Sequence, residues 1–179
     1  QRVNKHGLTG CLNFYKSSFN QTIIKSNNGL CEDSINIVNS FGSIKSISVE
    51  NAFSDGVDVD FSNLIIKNLN VLYAGNDCLD LSAGTYEVLT ANLSGCNDKG
   101  LSIGENSLLI GKNIIVNDSN IGVSTKDFSK SFINAYQASG VNICVEATQK
   151  KQEFGGAVAN FISKDCNGIY KKDLNSIIQ

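Results

Sequence analysis

The stretch Gly56-Val57-Asp58-Val59-Asp60-Phe61 decides the fold, because its pattern returns at a nearly constant interval along the chain. A step of 22 residues leads to Cys78-Leu79-Asp80-Leu81-Ser82, and another step of 22 leads to Gly100-Leu101-Ser102-Ile103-Gly104. Each copy has a small residue, an apolar residue, a polar residue and a second apolar or small residue. Such alternation with a period of two is typical of a strand that buries one face.

The repeat extends in both directions from this stretch. Eight segments share the pattern, and their first apolar position is always aliphatic: Leu12, Ile35, Val57, Leu79, Leu101, Val123, Val145 and Ile169. A single coil could not bury its own apolar face, so a repeat of this length predicts coils that stack on one another. The sequence therefore predicts an all-β fold: a single-stranded, right-handed parallel β-helix of about eight coils of 22 residues.

The chain has 179 residues, of which 41% are hydrophobic, and this is enough for one domain with a sizeable core. We expect residues 1–179 to form a single β-helix domain, with core repeats over about residues 11–170. The chain does not begin with methionine, which predicts a mature form or, as we favour, a domain excised from a larger protein. We also expect a short capping helix within residues 165–179.

Charge and hydropathy exclude two classes of partner. The net charge is −2 and the only arginine is Arg2, whereas a nucleic-acid interface needs clustered Lys and Arg. No apolar run approaches 18 residues, so insertion into a membrane is not expected. The single histidine, His6, lies outside the aligned repeats and is expected to be a surface residue rather than a catalyst.

The six cysteines are spaced at intervals close to one coil. They are Cys11, Cys31, Cys78, Cys96, Cys144 and Cys166, and successive pairs are separated by 20, 18 and 22 residues. Stacked coils could bring such partners together as disulfides, which would indicate an oxidising compartment. Small buried thiols in the wall of the solenoid are the alternative, and it is the one that we favour.

Stacking turns the outward-facing columns of the repeat into surface stripes. The column two residues after the small position contains Asn36, Asp58, Asp80, Ser102, Ser124, Glu146 and Tyr170. Beside it run a column of Asp60, Ser82, Lys126 and Thr148, and a column of Asp33, Asp55, Asp77 and Lys99. One wall is therefore expected to concentrate carboxylates and to offer a binding surface at Asp58, Asp60, Asp80, Ser102 and Lys126.

Like charges about 5 Å apart repel one another, so this wall needs an explanation. The carboxylates of Asp55, Asp58, Asp77 and Asp80 could bind Ca²⁺, which accepts several oxygen ligands. Asp55, Asp77 and Lys99 could form an acid–base constellation for sugar hydrolysis. The carboxylates could also be solvated charges that suppress pairing between strand edges. The sequence leaves these three alternatives open, and it predicts no other metal or cofactor.

Three motifs on successive coils resemble those of polygalacturonase-type β-helix glycoside hydrolases, in order and spacing: Ser54-Asp55-Gly56-Val57-Asp58, Gly75-Asn76-Asp77-Cys78 and Lys99-Gly100-Leu101-Ser102-Ile103-Gly104. Asp55 and Asp77 match two of the three acidic positions of that family. The third acidic position is Asn76 here, and the histidine of the family is Lys99. An amide in place of the acid removes the proton donor of that mechanism.

A broader resemblance covers about residues 50–160. The runs 77–82, 98–105 and 120–127 resemble right-handed β-helix repeat regions of large bacterial surface proteins, some of which carry a spore-coat CotH-like kinase domain. The segment Gln149-Lys150-Lys151-Gln152-Glu153-Phe154-Gly155-Gly156 fits their recurring QKKxxFGG segment. The resemblance implies a pectin-lyase-like fold and an extracellular or cell-envelope location in a bacterium. It implies no established activity.

Three functions follow as expectations. The leading one is that the polar wall binds a polysaccharide or another extended partner. The first alternative is a polysaccharide hydrolase or lyase that uses Asp55, Asp77 and Lys99. The second alternative is a non-catalytic structural spacer, with contacts to other subunits through the open ends of the solenoid.

Overall fold

The computed structural model describes residues 7–179, and all the regular secondary structure in this range is β-strand. Odd-numbered strands form sheet A: β1 (Gly10–Tyr15), β3 (Asp33–Val38), β5 (Asp55–Asp60), β7 (Leu79–Ser82), β9 (Lys99–Gly104), β11 (Ile121–Lys126), β13 (Ile143–Thr148) and β15 (Ile169–Lys172). Even-numbered strands form sheet B: β2 (Ser18–Asn27), β4 (Phe41–Ala52), β6 (Asn63–Ala74), β8 (Thr85–Cys96), β10 (Leu108–Asn117), β12 (Lys130–Ser139), β14 (Val158–Cys166) and β16 (Ile177–Ile178).

Each coil contributes one strand to each sheet, and neighbouring coils pair in parallel. The fold is a parallel β-solenoid of about eight turns, as the repeat predicts. His6, which the sequence predicts to be a surface residue, lies outside the described residues. Among residues 7–179 there is no helix long and apolar enough to cross a membrane.

The hydrophobic core lies between the two sheets. From sheet A, the aliphatic positions of the repeat, such as Ile35, Val57 and Leu79, are fully buried. From sheet B, residues such as Ile66 and Leu93 are fully buried against them. Side chains alternate between the two faces of a strand, so this inward column fixes which residues of sheet A face outward.

The predicted register holds for seven of the eight aligned coils. Leu12, Ile35, Val57, Leu79, Leu101, Val123 and Val145 lie opposite one another on successive strands. For the last coil the predicted register is wrong by one residue. A register shift between Ile143 and Val145 places Tyr170 rather than Ile169 beside Val145. Lys171 therefore takes the outward place beside Glu146 that the sequence assigned to Tyr170.

The predicted capping helix is also wrong. The segment after residue 165 remains extended, because Ile143 pairs with Ile169 in sheet A and Val158 pairs with Ile177 in sheet B. The turn between β15 and β16 is held by Asp173, whose carboxylate accepts the backbone N–H of Gln149 at 2.6 Å.

All six cysteines are paired, so the prediction of buried thiols is wrong. The disulfides are Cys11–Cys31, Cys78–Cys96 and Cys144–Cys166, with Cα–Cα distances of 5.3, 5.4 and 5.9 Å. Each pair is separated by about one coil, so the second cysteine returns next to the first on the neighbouring turn. Parallel stacking thus supplies the Cα spacing that a disulfide needs.

A column of buried serines, which we call the serine ladder, connects the corners that lead from sheet A to sheet B. Its members are Ser40, Ser62, Ser107, Ser129 and Ser176. The Ser62 hydroxyl donates to the Asp60 carbonyl at 2.7 Å and accepts the Ser40 N–H at 2.9 Å. Ser107 repeats the pattern with the Gly104 carbonyl and the Gly84 N–H. The ladder satisfies backbone groups that the corner leaves outside the sheets.

Tyrosine replaces serine at one of the two gaps in this ladder, the other being Ala157 between Ser129 and Ser176. Gly84 stands one repeat after Ser62 and has no hydroxyl. The Tyr86 hydroxyl lies over it, donates to the Ser82 carbonyl at 2.7 Å and accepts the Ser62 N–H. A Cβ atom at position 84 would come within 2.4 Å of the Tyr86 Oη, so glycine is needed there.

Replacing Ser62 with alanine is expected to lower the free energy of unfolding by about 1–3 kcal/mol, because the buried Ser40 N–H loses its acceptor. Urea denaturation measures the change. The control is Ser18→Ala at an exposed position of β2, which is expected to alter stability by less than about 0.5 kcal/mol. Equal effects of the two substitutions would contradict a stabilising role for the ladder.

Candidate functional site

The candidate site is the outer face of sheet A. We call its two central columns the polar wall: Asn36, Asp58, Asp80, Ser102, Ser124 and Glu146 in the first, and Asp60, Ser82, Lys126 and Thr148 in the second. The first column is continuous, since each member lies opposite the next on successive parallel strands. This confirms the stacking that the sequence predicts for these positions.

The polar wall has one closed half and one open half. Ser102 is fully buried, and Lys126 is 8% exposed because its Nζ donates to the Ser102 Oγ at 2.8 Å. Ser124 is also fully buried and donates to the Glu146 carboxylate at 3.2 Å. These groups satisfy one another and do not form a free surface. Asp58, Asp60, Asp80 and Ser82 are half-buried, so the part of the wall that solvent reaches is acidic.

The carboxyl group of Asp58 is the most strongly perturbed group of the open half. Burial, followed by repulsion from Asp60, Asp33 and Asp80, raises its pKa to about 9. The Asn36 Nδ2 donates to one of its oxygens at 2.8 Å. Burial also raises the pKa of Asp60 to about 6, although a hydrogen bond with Asp58 opposes the rise. The two carboxyl groups thus share a proton near neutral pH.

The catalytic candidates Asp55, Asp77 and Lys99 lie together at the corner where the chain enters β5, β7 and β9 of the same sheet. The Asp55 Oδ1 accepts the Asn76 Nδ2 at 2.7 Å and the Asp77 N–H at 2.8 Å. The Asp77 Oδ1 accepts the Lys99 N–H at 3.0 Å, and the Lys99 Nζ lies 3.3 Å away. Each carboxylate therefore binds the backbone of the next coil, which gives it a structural role at the corner.

The Asp77–Lys99 pair is ionised at neutral pH even though it is buried. Burial raises the Asp77 pKa to about 6, and the positive charge of Lys99 limits that rise. Burial lowers the pKa of Lys99, but the hydrogen bond with Asp98 and the charge of Asp77 outweigh it, and the net shift is upward. The carboxyl group of Asp77 therefore changes its charge slightly below neutral pH.

Two buried oxygen atoms of the wall lack a hydrogen-bond partner. They are the Oδ1 atoms of Asn36 and Asp80. Within residues 7–179, no three His, Cys, Asp or Glu side chains are arranged to hold a metal ion. The calcium alternative built on Asp55, Asp58, Asp77 and Asp80 thus has no matching ligand cluster in that range.

The loop over residues 149–156 borders the wall, a role that the sequence did not reveal. The Asp127 Oδ1 accepts the N–H groups of Lys150 and Lys151 at 2.7 and 2.8 Å. The Lys151 ammonium then reaches back to form an ion pair with Glu105. The loop is anchored further by the Phe154 ring, which packs edge-on against Phe128. The sequence analysis noted this segment only for its resemblance to a QKKxxFGG pattern, which does not indicate where the loop lies in the structure.

No protein-family model, no curated protein and no solved structure matches this chain.

Proposed function

We propose that this chain is a domain of a bacterial, envelope-associated protein that binds a polysaccharide or another extended partner along the polar wall. The observation that carries the proposal is the column of polar side chains that repeats once per coil, of which the open half at Asp58 and Asp80, with Asp60 and Ser82 beside it, is reached by solvent. Parallel strands lie about 4.8 Å apart, so this column is a linear array of hydrogen-bonding groups. A linear polymer is the kind of ligand that meets several such groups at once.

Two observations support the proposed location. The three disulfides favour an oxidising environment, since such bonds persist outside the cytosol. The runs 77–82, 98–105 and 120–127 resemble pectin-lyase-like repeat regions of bacterial surface proteins, including some with a CotH-like kinase domain.

The second candidate function is a polysaccharide hydrolase or lyase that uses Asp55, Asp77 and Lys99. The observation that favours it is the grouping of these three side chains on successive coils, where the Lys99 Nζ lies 3.3 Å from the Asp77 carboxylate and burial raises the pKa of Asp77. The test is release of reducing ends from a panel of polysaccharides. Turnover that Asp77→Asn abolishes and Asp58→Asn preserves, in variants that keep the wild-type circular dichroism, would establish catalysis.

Binding along the wall is tested by affinity electrophoresis against neutral, acidic and amino-group-bearing polysaccharides. We expect at least one polymer to retard the protein and the double variant Asp58→Asn/Asp80→Asn to lose most of the retardation. The control is Glu50→Gln, which removes one charge from the exposed face of sheet B.

If no polymer retards the protein, the wall is not a polysaccharide site. The spacer alternative then becomes the one to test, through the exposed apolar residues Ile169 and Leu174 of the last coil. Sedimentation at increasing protein concentration would detect end-to-end association.

A further inference from the structure

The first halves of β4, β6, β8, β10 and β12 present a second surface, which lies across the core from the polar wall. Buried and outward side chains alternate along these segments, so three outward columns run along the solenoid at about 4.8 Å per coil. We call them the basic face: Phe41, Asn63, Thr85, Leu108 and Lys130 in the first column, Ser43, Ile65, Glu87, Ile110 and Phe132 in the second, and Lys45, Lys67, Leu89, Lys112 and Asn134 in the third.

One sign of charge dominates the basic face, although the whole chain has a net charge of −2. The face contains four lysines and one acidic residue, Glu87. The Lys112 Nζ lies 3.5 Å from the Glu87 carboxylate, so these two charges offset each other. Lys45, Lys67 and Lys130 form no ion pair within residues 7–179. Their positive charge is therefore free to attract an anionic partner.

Apolar side chains lie among these lysines and are open to solvent. Ile65, Ile110 and Phe132 are 40%, 44% and 41% exposed, although they lie on central strands of the sheet. A groove of about 460 Å³ separates two of them, and its lining includes Ile65, Thr85, Glu87 and Ile110. Apolar side chains grouped in this way favour a partner that removes them from water.

The mixture of lysine and apolar side chains distinguishes between partners. The core of a protein–protein interface is dry and depleted of charged residues, whereas here lysines flank the apolar column. A second copy of the chain would place lysines against lysines if two basic faces met, and carboxylates against apolar side chains if a basic face met a polar wall. A lipid surface accepts both kinds of side chain, because anionic headgroups attract lysines and the acyl boundary receives apolar groups.

We propose that the basic face docks on the surface of a membrane that contains anionic lipid. Lys45, Lys67 and Lys130 lie among the headgroups, and Ile110 and Phe132 reach the boundary of the acyl chains. The core separates the two sheets, so the polar wall then points away from the lipid and stays open to its own ligand. Docking is independent of whether that wall binds a polysaccharide.

The test is co-sedimentation of the protein with vesicles of two compositions. One is phosphatidylcholine alone, and the other contains equal amounts of phosphatidylcholine and phosphatidylglycerol. We expect binding to the anionic vesicles to be at least about tenfold tighter, because each lysine near an anionic surface contributes about fivefold. Binding should weaken as salt is added, since salt screens the attraction.

Lysine variants then locate the contact. Lys67→Gln/Lys130→Gln should weaken binding to the anionic vesicles by about twentyfold, from two contributions of about fivefold each. The control is Lys25→Gln/Lys171→Gln, which removes the same charge from exposed lysines outside the basic face. The control pair should bind as the wild type does.

An apolar variant separates docking on lipid from attraction by charge alone. Ile110→Ser should weaken binding to the anionic vesicles by about fivefold, because the isoleucine no longer enters the lipid. The control is Leu72→Ser, which changes a residue of the same exposure, 40%, in the second half of β6. Circular dichroism checks that each variant keeps the wild-type fold.

Three results would overturn the proposal. The first is binding that is absent or equal for the two vesicles, or that the control pair weakens as much as Lys67→Gln/Lys130→Gln. The second is binding that Ile110→Ser leaves unchanged and that dextran sulfate abolishes, which would assign the face to a soluble polyanion. The third is self-association in the absence of lipid that the same variants abolish, which would assign the face to a second copy. Each of these results leaves the proposed function of the polar wall unaffected.

Discussion

Replacing Lys99 with methionine is expected to lower the free energy of unfolding by about 3–5 kcal/mol, because it leaves the Asp77 carboxylate buried without its cation. The side chains of Lys99 and Asp77 are 10% and 4% exposed, and their charged atoms lie 3.3 Å apart. Methionine keeps most of the apolar length of lysine, so the loss reports the charge rather than the packing. Chemical denaturation at about pH 8, where Asp77 is ionised, measures it.

The same variant should also change how stability depends on pH. The Asp77 pKa is about 6 in the folded wild-type protein and near 3.8 when unfolded, so the group costs stability as pH rises from 3.8 to about 6. Without Lys99 its folded pKa rises further, and the stability of the variant keeps falling above pH 6. The control is Lys112→Met, which breaks an exposed pair with Glu87 and should cost less than about 1 kcal/mol. A Lys99→Met protein as stable as this control would contradict the importance of the buried pair.

The fold could be predicted from the sequence because its two determinants are visible there. Alternation of apolar and polar residues fixes which face of a strand is buried, and a constant period fixes which residues stack. These two determinants were sufficient to predict the aliphatic column from Leu12 to Val145. The prediction failed at Ile169, where the last interval is longer and a register shift absorbs part of it.

The repeat predicted the aliphatic column from Leu12 to Val145, but it did not predict the disulfides. The spacing of Cys78 and Cys96 was compatible with a bond, but whether two cysteines face each other depends on how the corner between sheets turns. The serine ladder was missed for a related reason. Its signal, a serine that recurs at 40, 62, 107 and 129, stands in the corners, where no apolar alternation draws attention to it.

The candidate site was predicted in part. The sequence correctly placed Asp58, Asp80 and Ser102 in one column. It did not show that the column is closed at Ser102, because that depends on the path of the long Lys126 side chain. It offered Asp55 and Asp77 as catalytic candidates, and it did not show that their oxygens bind backbone N–H groups of the next coil. Contacts between side chain and backbone on a neighbouring coil leave no pattern in the sequence.

Replacing Asp58 with asparagine is expected to stabilise the protein, and the gain should grow with pH. In the folded state the Asp58 pKa is about 9, far above the value of 3.8 expected when unfolded. The folded protein therefore binds the proton more tightly than the unfolded chain, so stability falls as pH rises from 3.8 towards 9. Asparagine is neutral at every pH, still accepts from the Asn36 Nδ2 and can donate to Asp60.

The size of this gain follows from the same pKa shift. At about pH 7 the upper limit is about 4 kcal/mol, from about 1.4 kcal/mol per pKa unit, and solvent at the half-buried carboxyl reduces it to about 2 kcal/mol. Thermal denaturation of both proteins between about pH 4 and pH 9 tests it, with Glu50→Gln as the control that removes an exposed charge from sheet B. Parallel curves for Asp58→Asn and the wild type would show that Asp58 carries no proton linkage. Curves that diverge with rising pH would show that the Asp58 carboxylate lowers the stability of the folded protein once it loses its proton.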